Sequence, residues 1–116
     1  ENEFTLQGFQ RLMDSNAVDF IQPEISKVGG LTASRKLAVL TALNSYTVCP
    51  HNYAPGPAFY AGLHLGLSQT IWDWHELKWL PTGMADEYLR GLKLVDGCVQ
   101  PPNSPGLGCE LPSLLA

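Results

Sequence analysis

The chain has 116 residues, of which 45% are hydrophobic and 16% charged, and a formal net charge of −4. This is a globular composition, not a disordered one. A mildly acidic chain without a Lys/Arg cluster offers no footprint for phosphate backbones, and no apolar run reaches bilayer-spanning length, so nucleic acid and membrane are not expected partners.

No signal-peptide pattern is visible in residues 1–12, and the missing initial Met is what a slice of a longer polypeptide would show. Cys49, Cys98 and Cys109 are an odd count without metal-ligand spacing. They fit reduced thiols in a cytoplasmic protein and read as small buried hydrophobes.

In chain order, Thr5 is placed to cap a helix whose buried face is Leu6, Phe9, Leu12 and Met13. Asp14-Ser15-Asn16 makes a turn, and residues 17–22 form a short strand that Pro23 ends. After Gly29-Gly30, Thr32 is expected to cap a second helix with Leu37, Leu40 and Leu43 on one side. Residues 46–49 are a second strand with Pro50-His51 at its tip, and a loop with Pro55 and Pro57 leads into a third helix, 58–68, apolar at Phe59, Leu63 and Leu67. Residues 71–76 read as a third strand, and 91–101 as a hairpin turning at Asp96-Gly97, followed by a Pro/Gly-rich tail.

Strands alternating with helices predict βαβ units, a parallel sheet and strand C-termini on one side. Three such units cannot close an eight-stranded barrel, so the α/β chain is either a small doubly wound sheet or the C-terminal portion of a (β/α)8 barrel with a hairpin and tail. Residues 1–90 would be the barrel units. Residues 91–116 would be the hairpin and tail, packing toward a capping domain.

Glu1, Glu24, His51 and Glu76 are spaced 23, 27 and 25 residues apart, one βα unit per step. In a barrel such residues converge on the C-terminal mouth, where active sites sit. Carboxylate oxygen suits Mg2+, and an imidazole held by a carboxylate has a fixed tautomer suited to acid–base work. Taken singly, a glutamate after a strand is an ordinary solvated residue and a His after Pro an ordinary structural one. Spacing alone does not decide between the two readings.

Longer motifs carry a resemblance. Phe20-Ile21-Gln22-Pro23-Glu24-Ile25-Ser26-Lys27-Val28-Gly29-Gly30-Leu31-Thr32 resembles the sixth-strand segment of the enolase superfamily, mandelate racemase subgroup. Cys49-Pro50-His51-Asn52, with Gly56-Pro57 and Leu63-His64-Leu65, resembles that subgroup's seventh strand and following helix, and Pro105-Gly106-Leu107-Gly108-Cys109-Glu110-Leu111 resembles its closing motif. The flavour is that of acid-sugar dehydratases of the galactonate dehydratase kind.

The resemblance implies a Mg2+-dependent lyase that removes the proton beside a sugar-acid carboxylate and expels water, with the enediolate stabilised by the metal. It implies Glu1 as a metal ligand, with the other two ligands upstream, so that the segment alone is inactive. It further implies His51 as the catalytic histidine, Glu24 as its partner, and Glu76 as the residue that is both catalytic and bound to the substrate carboxylate. Asn52 and Tyr53, following His51, are candidates for touching substrate. It also implies a homo-oligomer.

Glu24 departs from the subgroup, which usually has Asp there, and adds a methylene of reach. Two alternatives follow: a racemase or epimerase in which His51 exchanges a proton on one face, and a catalytically silent homologue. Elsewhere, Lys27 reads as a solvated lysine and His64 as a core histidine with a backbone partner. By strand alternation, His75 should point away from the face shared by Trp72, Trp74 and Glu76.

Overall fold

The computed structural model describes residues 1–53, 56–78, 89 and 92–109. Helix α1, Leu6–Asp14, begins where Thr5 accepts a hydrogen bond from Gly8 N at 3.0 Å, as its side chain allows. Strand β1, Phe20–Ile21, helix α2, Gly30–Leu43, strand β2, Thr47–Val48, and helix α3, Pro57–Leu67, follow. Strands β3, Lys93–Val95, and β4, Cys98–Gln100, come last.

β1 and β2 pair in parallel, with Phe20 opposite Thr47 and Ile21 opposite Val48. This is the predicted βαβ arrangement, although the ladder is shorter than the apolar runs. Bonds on alternate residues prolong it toward the tips, from Cys49 N to Ile21 O at 3.0 Å and from His51 N to Pro23 O at 3.1 Å. Pro23 cannot donate to a ladder, but its carbonyl still accepts. β3 and β4 form the expected hairpin, with Asp96 (φ 50°) and Gly97 (φ 78°) at its turn.

Phe9, Met13, Ile21 and Leu37 make one core between α1, β1 and α2. It is tied at its edges by Gln10–Asn44 amide bonds and by Tyr46 Oη donating to Met13 O at 3.0 Å. Phe59, Tyr60 and Leu63 make another, on which Leu92, Val99 and Leu107 pack, so the hairpin and tail lie against α3.

Several expectations are corrected. α2 is entered through Gly29 without a side-chain cap, and Thr32 lies inside the helix. Its buried face is Ser34, Leu37, Ala38 and Thr41, while Leu43 is 79% exposed. Small residues on this stripe bring the helix close to the strands. α3 buries Phe59 and Leu63, but Leu67 is exposed. Cys98 is exposed on the hairpin, not buried.

Residues 71–78 do not form a strand. Val48 N donates to Ile71 O, and beyond that bond the stretch has no ladder among the described residues. Without a ladder, alternation holds only in part. Trp72 turns back onto α3, where a Cβ on Gly66 would come within 2.8 Å of its ring, while Trp74 and Glu76 are exposed on the other side. Pro55, Gly91 at the start of the hairpin, the Glu110-Leu111 end of the closing motif and the boundary at 90/91 lie outside the described residues. Among the described residues no helix is long and apolar enough to cross a membrane.

Candidate active site

The parallel pair sets the site. Ile21 and Pro23 are buried toward the helices, whereas Phe20 and Gln22 are exposed on the opposite face. Glu24 follows Pro23 and opens a turn, its carbonyl accepting from Lys27 N at 2.9 Å and Val28 N at 3.0 Å. That turn curls Ser26 and Lys27 back toward the Glu24 carboxylate. The bond from His51 N to Pro23 O places His51 beside Glu24 on the neighbouring strand tip.

The glutamate reaches the histidine. Glu24 Oε2 lies 3.0 Å from His51 Nδ1 and 3.0 Å from Lys27 Nζ, and Oε1 accepts from Ser26 Oγ at 2.5 Å. Lys27 is therefore an ion-pair partner in the site and not a merely solvated lysine. Burial pushes the Glu24 carboxyl upward, but the hydrogen bonds from Ser26, Lys27 and His51 outweigh it and hold the pKa below the usual carboxylate range. Glu24 is held as a carboxylate. It takes Nδ1 of the imidazole and so orients the ring, with Nε2 turned toward Glu1 at the mouth.

His51 Nε2 faces Glu1 Oε2 at 3.0 Å, and the Glu1 side chain is 52% exposed. Glu1 and Glu24 thus flank one imidazole. Glu76 stands at the next tip, where its Oε2 accepts from Asn52 N at 2.7 Å and its backbone carbonyl from Asn52 Nδ2 at 3.3 Å. Asn52 is buried and directs its backbone N–H and its side-chain amide to Glu76, so it enters the site through that residue. The Tyr53 ring lies 6.5 Å from the His51 ring and is largely exposed. Lys78, which sequence reasoning passed over, sits with Nζ 3.7 Å above the centre of the Tyr53 ring. Its position two residues after Glu76 was the available signal.

Two hollows meet here. One, of about 260 Å³, runs behind the imidazole and includes Glu24, Ser26, His51, Phe59 and His75 in its wall. The other, of about 680 Å³, lies on the inner sheet face against Phe20, Gln22, Cys49, Trp74 and Glu76. His75 does point away from Glu76: it is wedged edge-on against Phe59, and a Cβ on Gly62 would meet its Cε1 at 3.0 Å. Among the described residues both its ring nitrogens are buried without a hydrogen-bond partner, and burial drives its pKa from 6.5 to about 4, against the pull of Glu76. His64 Nε2 meets Leu107 O at 3.1 Å, the expected backbone partner.

Among the described residues no three His, Cys, Asp or Glu side chains gather as a metal cage. The donor chemistry at Glu1 nevertheless fits a hard cation. Its carboxylate is half exposed at the mouth, and Mg2+ is commonly held by one or two carboxylates with water and substrate oxygens completing the shell.

The fold and this mouth define the C-terminal part of an α/β barrel, and the family model for enolase C-terminal domain-like proteins matches residues 1–113. The chain belongs to that family. It is 26% identical to the D-galactonate dehydratase of Ralstonia pickettii over 99% of this chain and 32% of that protein. It is 28% identical to the D-galactarolactone cycloisomerase of Agrobacterium fabrum over 90% of this chain and 30% of that protein. The crystal structure of the 3,6-anhydro-D-galactonate cycloisomerase of Zobellia galactanivorans superimposes with a TM-score of 0.83 at 34% identity, over 94% of this chain and 31% of that one. The chain spans about a third of the length of the curated relatives it matches.

Proposed function

We propose that this chain supplies the acid–base half of a Mg2+-dependent enzyme that removes water from a sugar acid. The observation that carries the reading is the carboxylate–imidazole pair, Glu24 Oε2 to His51 Nδ1 at 3.0 Å. It orients the ring so that Nε2, which faces Glu1 at 3.0 Å, is the nitrogen that would hold or deliver a proton at the mouth. Dehydratases among the relatives support the substrate class.

Glu1 would hold the metal, which when bound supplies positive charge to the substrate's carboxylate oxygens. Glu76, fixed by the Asn52 amide, would in its acid form donate a hydrogen bond from its second oxygen to the substrate carboxylate. Tyr53 would cover the substrate beside the imidazole. The carbon beside the carboxylate loses its proton to a base on another part of the protein. The electron pair becomes the new C=C bond, the neighbouring C–O bond breaks, and His51 Nε2–H protonates the departing hydroxide to water. The enol then becomes a 2-keto-3-deoxy acid. Glu24 keeps the imidazole oriented throughout.

A second reading, intramolecular opening or closing of a sugar-acid ring, is favoured by the two cycloisomerases among the similar proteins. It uses the same first proton abstraction with an ether or lactone oxygen in place of hydroxide. We further place the protein in the cytoplasm as a homo-oligomer, with residues 1–90 as barrel units and the segment from residue 91 directed toward a capping domain.

Full-length protein with Mg2+, incubated with a library of sugar acids and assayed for 2-keto-3-deoxy products, tests the reading. A product lost with EDTA and with His51→Asn supports dehydration. An isomer of unchanged mass supports the cycloisomerase. Deuterium uptake at the α-carbon without either product points to a racemase, and no reaction at all to a silent homologue.

A further inference from the structure

Among the described residues the Glu24 carboxylate is held at three points, and only one of them is the imidazole. Oε2 lies 3.0 Å from both His51 Nδ1 and Lys27 Nζ, and Oε1 accepts from Ser26 Oγ at 2.5 Å. A carboxylate oxygen has two lone-pair sites, so His51 and Lys27 fill those of Oε2 between them. The other two donors come from Glu24's own turn. Lys27 N and Val28 N bond to Glu24 O, and Gly30 N closes the turn onto Ile25 O at 2.9 Å, with Gly29 left-handed at φ 98°. This curl carries the lysine back over the carboxylate.

Neither stability nor contact with substrate accounts for the grip. The Lys27 side chain is 36% exposed, and an ion pair with so open a lysine contributes little to stability. Lys27 also lines neither hollow. What the grip supplies is direction. A glutamate has one more staggered torsion than an aspartate, with about three wells to choose from. Held by His51 alone, the carboxylate would be oriented by the ring that it is there to orient.

We propose that Ser26 and Lys27 are positioning residues, which select the side-chain conformation that sets Glu24 Oε2 on His51 Nδ1 and so let a glutamate serve as the partner of the histidine. This rests on the reading of His51 as the group that transfers a proton. Lys27 acts by its charge on the oxygen that His51 shares. Ser26 fixes the other oxygen, so that the carboxylate plane cannot turn.

The test uses full-length protein with Mg2+, in wild type, Ser26→Ala, Lys27→Met and Lys27→Arg, and in Glu24→Gln with and without Lys27→Met. On the substrate that the screen of sugar acids identifies, Lys27→Met should lower kcat roughly 10- to 30-fold and Ser26→Ala roughly 3- to 10-fold. KM should stay within about 2-fold of wild type, and Lys27→Arg should restore most of kcat. In the Glu24→Gln background Lys27→Met should cost nothing more, because its effect passes through the carboxylate. A loss that falls on KM, or one equally large in the Glu24→Gln background, overturns the positioning role. Selective 15N-histidine labelling gives a readout without turnover. The downfield Nδ1–H signal of His51, assigned by its absence from His51→Asn, is expected in wild type and Lys27→Arg and to be lost to exchange in Lys27→Met. If no sugar acid reacts, a Lys27-dependent signal supports the positioning role while the dehydration reading fails. A signal that is absent from wild type, or unchanged in Lys27→Met, overturns the positioning role whether or not a sugar acid reacts.

Discussion

Glu24 and Glu76 stand at neighbouring corners of one mouth but are held by different means. Glu24 follows a parallel strand pair, and its carboxylate is gripped by Ser26, Lys27 and His51. Glu76 lies in a stretch without a ladder, and among the described residues its carboxylate has one hydrogen bond, from the Asn52 backbone. In the first corner the backbone pairing sets the geometry and the charges refine it. In the second the ring packing of His75 against Phe59, and of Trp72 against Gly66, takes the place of strand hydrogen bonds. The first corner is built to keep an imidazole oriented, and the second to leave a carboxylate oxygen available.

The contrast can be sharpened by substitution. The largest effect is expected from His51→Asn, which removes the group proposed to move the proton and should lower kcat by roughly 10³-fold or more, measured on the substrate that the screen of sugar acids identifies. Glu76→Gln should cost roughly 10²-fold in kcat/KM, because it alters a single carboxylate and leaves the dyad intact. If the two substitutions cost the same, the corners act as one unit and the distinction between them fails.

The second corner also makes a stability prediction. Folded His75 resists protonation down to pH about 4, whereas an unfolded histidine takes its proton near 6.5. Between those values the unfolded chain binds the extra proton, so stability is full above pH 6.5 and falls on acidification through the window, by up to about 3 kcal/mol. Denaturant unfolding of wild type and His75→Leu across pH 4 to 7 should show this slope in the first and lose it in the second. The smallest effect belongs to the α1 cap. Thr5→Ala removes the acceptor for Gly8 N and should cost about 1 kcal/mol in the same unfolding measurement, with kcat unchanged.

The same contrast explains how much was legible beforehand. Hydrophobic period and the Gly and Pro breaks, with the Thr5 cap for α1, placed the helices, the parallel order and the spacing of Glu1, Glu24, His51 and Glu76, because each depends on local pattern and one repeated unit. Lys27 and Lys78 were not legible, because a lysine's partner depends on where a turn or a neighbouring ring brings it. Trp72 was assigned to the wrong side because alternation presumes a ladder, and residues 72–78 lack one. Leu43 looked like core by its spacing, but the faces of α2 are decided by what packs on them, and Ser34 and Thr41 lie on the buried side. The Asp-to-Glu difference at Glu24 left the dyad open in the sequence. The 3.0 Å contact to His51 shows that the longer side chain fits.

The most direct test of the account is Glu24→Asp in the full-length enzyme, assayed on its own substrate. If the glutamate carboxylate is the working partner of His51, shortening it by a methylene withdraws it from Nδ1, and kcat should fall roughly 10- to 100-fold. Activity that appears or rises in Glu24→Asp would contradict the account, since it would mean that the native Glu24–His51 pair is not arranged for proton transfer.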